Sequence, residues 1–169
     1  MCLDRLEGTG ELQRMMRGIY VKPRYSALLN KNAPPRSDDI AKAIARNYGW
    51  TIVPCGDTAL IMLGLSTQVP AVWLYVSDGP YKIYEAKGMT LKFKHTDNKN
   101  EIIQISYKTA LAVQALKALG KSNVTDKELR SISKLLTENE KAQMLAEAKR
   151  VTAWVYEFMR KICGEGAYE

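Results

Sequence analysis

Histidine occurs once in this chain, as His95, so any Ser-His-Asp or Cys-His catalysis would have to run through that one imidazole. No motif frames a nucleophile for it. Cys55 sits in Pro-Cys-Gly without the pattern of a nucleophile elbow, and a strand-end histidine satisfied by its neighbours is the expectation. Cysteine is also sparse: Cys2, Cys55 and Cys163 are odd in number and far apart, which argues against a disulfide framework and against a paired CxxC zinc site. One histidine and scattered acids offer no metal-ligand set, so no metal site is expected. No apolar run reaches the ~18 to 20 residues that would span a bilayer. The opening MCLDRLEGTG lacks the basic-then-apolar layout of a signal peptide, so no membrane partner and a cytoplasmic location are expected. A glycine-rich phosphate loop is missing too: Gly56 is followed by Asp57, whose charge would repel phosphate from a helix starting there.

What is present is enough apolar material for a core. The 169 residues are 46% hydrophobic, which suits one domain, or one domain with a small appendage. The formal charge of +7 favours an acidic partner, with nucleic acid the commonest. Part of that excess lies early: Arg5, Arg14, Arg17, Lys22, Arg24 and Lys31 stand against Asp4, Glu7 and Glu11, whereas the C-terminal part alternates in sign.

The most clearly punctuated stretch is WTIVPCGDTALIMLGLSTQVPAVWLYVSDGP, residues 50 to 80. Residues 50–53 form a β-branched and aromatic run stopped by Pro54; Gly56-Asp57 supplies a turn and an expected helix N-cap, and Gly64 ends the helix. Residues 71–77 read as a buried strand closed by Asp78-Gly79-Pro80. The motifs Gly-x-x-Ala-Leu at 56–60, Leu-Gly-Leu-Ser-Thr-Gln-Val-Pro at 63–70 and Asp-Gly-Pro at 78–80 resemble those of bacterial proteins related to AbiEi-type antitoxins, the transcription-regulating partners of type IV toxin–antitoxin systems. Phe93-Lys94-His95-Thr96 and the helical stretch 107–120 extend the resemblance over roughly residues 10 to 124. It implies an antitoxin-like transcriptional regulator that is not an enzyme and involves no cofactor. Its N-terminal part would bind operator DNA, and its α/β part would counter a nucleotidyltransferase-like toxin. It also implies two helices ahead of the first one here, so the helix-turn-helix is incomplete in this chain.

Along the chain, residues 2–7 read as a helix, and 11–14 and 18–21 as two short strands joined by a tight turn. A helix followed by a basic hairpin is the back half of a winged helix. Arg14, Arg17, Tyr20, Lys22 and Arg24 would then be phosphate contacts and Arg5 a groove-facing residue. An edge hairpin with a solvated basic face is the other reading. Residues 23–36 read as a linker, and Ser37 as the cap of a helix ended by Gly49. Strands are expected at 82–85, 89–95 and 101–106. Ser106 caps a helix to residue 119; Thr125-x-x-Glu128 and Thr137-x-x-Glu140 are capping boxes, the second opening one long helix to about residue 163. The apolar stripe Met144, Ala148, Val151, Val155, Phe158 and Ile162 on that helix is expected to pack on the chain's own domain.

These signals describe an α+β chain: a winged-helix remnant at 1–31, a mixed sheet flanked by helices at 37–124, and a C-terminal helical extension at 125–169. Two other functions compete with a DNA-binding regulator. One is a protein-interaction module without a DNA role. The other is a magnesium-dependent nuclease using Asp78 with the Glu85-Ala86-Lys87 triplet, an acid-plus-Glu-x-Lys arrangement that can hold a metal ion and activate water.

Overall fold

The computed structural model describes residues 2–164, and their architecture is α+β. Helix α1 (Cys2–Gly8) buries no residue. The chain turns back through Gly10 into an antiparallel hairpin, β1 (Gln13–Met16) and β2 (Ile19–Val21), whose turn is Arg17-Gly18. Two strands alone are marginal in water. This pair is stabilised because Met15, Ile19 and Val21 bury against Ile40, Ala41 and Ile44 of α2 (Ser37–Tyr48).

The segment read as a linker contains a second hairpin, β3 (Arg24–Ser26) and β4 (Lys31–Ala33). Neither strand buries a residue fully, so the alternating apolar signal that reveals a strand is missing from the sequence. Asn30 closes the turn at φ 47, a conformation asparagine tolerates better than most residues. At α2 the cap position falls on Arg36 rather than Ser37, which is buried in the first turn, while Asp38 and Asp39 complement the helix dipole. Gly49 ends α2 in the left-handed conformation and donates its N–H to Ala45, as expected of a terminal glycine.

The central sheet comprises β5 (Ile52–Pro54), β6 (Val72–Ser77), β7 (Lys82–Ala86) and β8 (Met89–His95) in the order β5-β6-β8-β7. β6 and β8 run parallel and the other neighbours antiparallel, so the sheet is mixed. The β7–β8 turn has positive φ at both Lys87 and Gly88, the twist that suits a two-residue hairpin. Helix α3 (Gly56–Met62) packs on β6, and its cap position is Cys55, not Asp57. Asp78 closes the end of the sheet instead, accepting the Thr51 N–H at 2.7 Å. Gly79 beside it has to be small, since a Cβ there would lie 2.5 Å from the Trp50 ring.

Residues 101–106 do not form a strand. A 3-10 turn (Lys99–Glu101) leads into α4 (Tyr107–Leu119), with the Ile103 and Gln104 N–H groups both donating to the Lys99 carbonyl. Burial explains the difference: Ile102 and Ile105 are covered and Ile103 is exposed, a spacing of three rather than two. Ser106 caps α4, and both capping boxes form, opening α5 (Asp126–Lys134) and α6 (Glu138–Ala148).

The long helix expected from 138 to 163 is two helices, α6 and α7 (Ala153–Ile162). Between them the Arg150 and Val151 N–H groups bond three residues back, and Thr152 is extended at ψ 137. The β-branched pair Val151-Thr152 has low helix propensity, and the break lets α7 contact α4, α5 and α6. Met144, Ala148, Val155, Met159 and Ile162 bury in one cluster with Val113, Leu116, Leu129 and Ile132. That cluster also takes in Val53, whereas Ile52, Tyr75, Leu91 and Phe93 belong to the core beneath α2 and the first hairpin.

Candidate nucleic-acid interface

The residues expected to touch DNA are distributed by α1 and the two hairpins. Arg5 is exposed on α1, which is tied to the hairpin because the Leu6 carbonyl accepts the Glu11 and Leu12 N–H groups. Arg14 and Tyr20 are direct cross-strand partners. With Ile19 and Val21 turned into the core, alternation leaves Tyr20 half-buried and Arg14 and Lys22 exposed, and Arg17 sits at the turn. Arg24 is different. Its guanidinium is ion-paired with Asp39 on α2, so it fastens the second hairpin to the domain.

A compositional feature becomes meaningful on this scaffold: no Asp or Glu occurs between Leu12 and Ser37. Lys31 on the second hairpin and Arg36 at the cap of α2 therefore join Arg14, Arg17, Lys22 and Arg24 in one acid-free run. Scanning for stretches without acids, rather than for motifs, extends the cationic segment to Arg36. Acids return where α2 begins, with Asp38 and Asp39. A cleft of about 540 Å³ there is lined by Arg24, Arg36, Lys42, Asp38, Asp39 and Trp73 among others, but its charges largely cancel, with Arg24 on Asp39 and Lys42 on Asp38. Asp38 Oδ1 and the Tyr75 hydroxyl, at this same corner, are buried without hydrogen-bond partners. Burial first, and then the neighbouring charge of Asp38, pushes the Tyr75 phenol above its ordinary range.

The residues suggested for metal chemistry are kept apart. Glu85 is level with Thr90 at one end of β8, whereas Asp78 follows Ser77, which is level with His95 at the other end, roughly 17 Å along the strand. Glu85 accepts the Thr90 hydroxyl at 2.8 Å, and Lys87 occupies the β7–β8 turn. Among the described residues no cluster of His, Cys, Asp and Glu is arranged to hold a metal ion. Cys55 is buried, and burial pushes its thiol up despite Lys94, so it is a weak nucleophile.

His95 is held by two acceptors: Nδ1 lies 2.8 Å from the Gly79 carbonyl and Nε2 2.9 Å from Asp97 Oδ1. Only the imidazolium can donate to both, so the Gly79 carbonyl first and Asp97 second raise its pKa. A raised pKa means that this arrangement stabilises the fold below the unfolded-state pKa and is lost as pH rises through the folded-state value. Proton NMR of the sole histidine should show a midpoint above the ordinary value of 6.5, and Asp97→Ala should return it part of the way. A midpoint at or below 6.5 in the native chain would contradict both contacts.

Fold and site together define a class: an α+β domain with a cationic, acid-free pair of hairpins mounted on the helix that covers one face of its sheet. The chain belongs to DUF6088, a family of unknown function, and the match spans residues 1–144, taking in α1 to α5 and part of α6. No curated protein and no solved structure matches it. Among the described residues no helix is long and apolar enough to cross a membrane.

Proposed function

We propose that this chain is a DNA-contacting, antitoxin-like transcriptional regulator of a type IV toxin–antitoxin system, acting in the cytoplasm. DNA contact would run through the N-terminal hairpin and antagonism of a nucleotidyltransferase-like toxin through the α/β domain. The observation that carries the DNA part is the acid-free run from Leu12 to Ser37, presented on two hairpins of which the first is packed into the core through Met15, Ile19 and Val21. Cations fixed on a rigid element can meet phosphates without first paying to order a loop. The toxin part rests on the resemblance of residues 56–80 and 93–120 to AbiEi-type antitoxins.

The test is binding to an arbitrary duplex as a function of salt. Arg14→Ala, Arg17→Ala and Lys22→Ala should each weaken binding about equally across sequences, and each should flatten the salt dependence by ~1 in slope. Absence of duplex binding at low salt would remove the DNA role. It would favour instead an interaction module using the open part of the sheet, where Tyr81 and Ile83 are exposed and Lys92 lies 5.3 Å from the Tyr81 ring centre.

A further inference from the structure

We propose that the tip of the β3–β4 hairpin, Leu28-Leu29, is an apolar wedge that enters the minor groove of duplex DNA and kinks it. This rests on the DNA-contacting reading and adds a division of labour: the first hairpin holds phosphates, and the second deforms the duplex. Leu28 is 99% exposed, Leu29 54% and Tyr25 65%, so three large apolar side chains crowd one short hairpin. Isolated exposed leucines are ordinary, but adjacent ones at the far point of a protrusion have no surface of their own domain to cover.

The tip is also built to hold its shape. The Tyr25 hydroxyl bonds to Asn30 Oδ1 across the hairpin, Ser26 Oγ accepts the Leu29 N–H at 3.4 Å, and the Asn30 N–H donates to the Ala27 carbonyl at 3.4 Å. The Arg24–Asp39 pair fastens its base to α2. Leu28 and Leu29 are thus held out by a structured turn.

Charge selects the partner. Apart from Arg24, which is paired with Asp39, the exposed cations of this hairpin and its flanks are Lys22, Lys31 and Arg36, in a run that contains no acid, so the hairpin itself suits a polyanion. An anionic membrane is the competing polyanion, and magnitude disfavours it. The two leucine side chains carry about eight carbons together, well short of the roughly fourteen of a myristoyl chain, which by itself gives only marginal membrane binding. A wedge between base steps needs no more than one or two such side chains, and flanking cations on the phosphates hold it in place.

The experiment uses the full chain and a doubly labelled duplex of roughly 25 base pairs with a central TA step, whose end-to-end distance is read by energy transfer. Binding should shorten that distance. Leu28→Ala/Leu29→Ala should abolish the shortening and weaken binding roughly tenfold, with an unchanged melting temperature and an unchanged salt slope, since two exposed side chains and no phosphate contact are lost. Leu28→Met/Leu29→Met should restore the bend. If the native chain leaves the duplex straight, or the alanine variant bends it equally, the wedge is overturned; salt slopes that still respond to Arg14→Ala and Arg17→Ala then keep the DNA reading intact. Failure to bind any duplex at low salt overturns both. Binding to phosphatidylserine-containing vesicles that the alanine variant loses, while its DNA binding is unaffected, assigns the tip to a membrane and overturns the wedge.

Discussion

Truncation after Lys134 is expected to leave a chain that no longer melts cooperatively and that aggregates. The cut removes α6 and α7, and with them Met144, Val155, Met159 and Ile162, each almost wholly buried. At ~1.5 to 3 kcal/mol per fully buried side chain the loss is about 6 to 12 kcal/mol, set against a total stability of about 5 to 15 for a domain of ordinary size. Damage extends to what stays behind. Leu116, Leu129 and Ile132 belong to the same cluster and would face water, and Ser106, which caps α4, would lose the Glu147 carboxylate that accepts its N–H at 2.9 Å and its hydroxyl at 2.8 Å. Circular dichroism on heating and size-exclusion chromatography would read the outcome. A soluble truncation with a sharp transition would mean that α6 and α7 cover an interface and not the core.

Phe93→Ala is expected to reduce stability by about 3 to 5 kcal/mol, the usual range for removing a fully buried phenyl ring. Phe93 is wholly buried on β8 and touches three other aromatic rings, with centroids at 5.5 Å to Tyr75, 5.8 Å to Trp50 and 5.8 Å to Tyr84. Those rings come from β6, β7 and the segment after α2, so one side chain joins three strands' worth of packing to the helix that carries the hairpins. Trp50 in turn stacks on Tyr48 at 4.9 Å and covers Gly79, so the cavity would be felt at both ends of α2's exit. Urea unfolding should show a lower midpoint with an unchanged slope, and Phe93→Leu should cost less, because it keeps most of the volume. A loss below about 1 kcal/mol would mean that the surrounding rings collapse into the gap and that the cluster does not depend on Phe93.

The parts of the fold that were legible are those written in neighbouring residues. Ser106, the two capping boxes, Gly49 and the Lys87-Gly88 turn act through hydrogen bonds or backbone angles within a few positions, and all five do in the structure what their local pattern predicts. The misjudged segments have deceptive local patterns. Residues 101–106 are rich in isoleucine yet bury with a spacing of three. The stripe from Met144 to Ile162 keeps a helical rhythm across a break at 149–152, because two helices packing on one core can share that rhythm without being continuous. The second hairpin was silent because strands without a buried face leave no alternation to read.

For the candidate interface, the cationic side chains of the first hairpin are readable from charge and turn signals, and the same signals group Arg24 with them. Its ion pair with Asp39, fifteen residues away, belongs to a different kind of information. The sequence alone determined the α+β class, most element boundaries and the cationic character of the N-terminal segment, since caps, turns and net charge act over short range or need no contact at all. Only the tertiary structure decided the order β5-β6-β8-β7, the burial of α6 and α7, the separation of Asp78 from Glu85, and the projection of Leu28 into solvent. Each of these depends on which distant side chains share a core and which are left outside it, and burial is a property of the packed whole, not of a residue's neighbours in the chain.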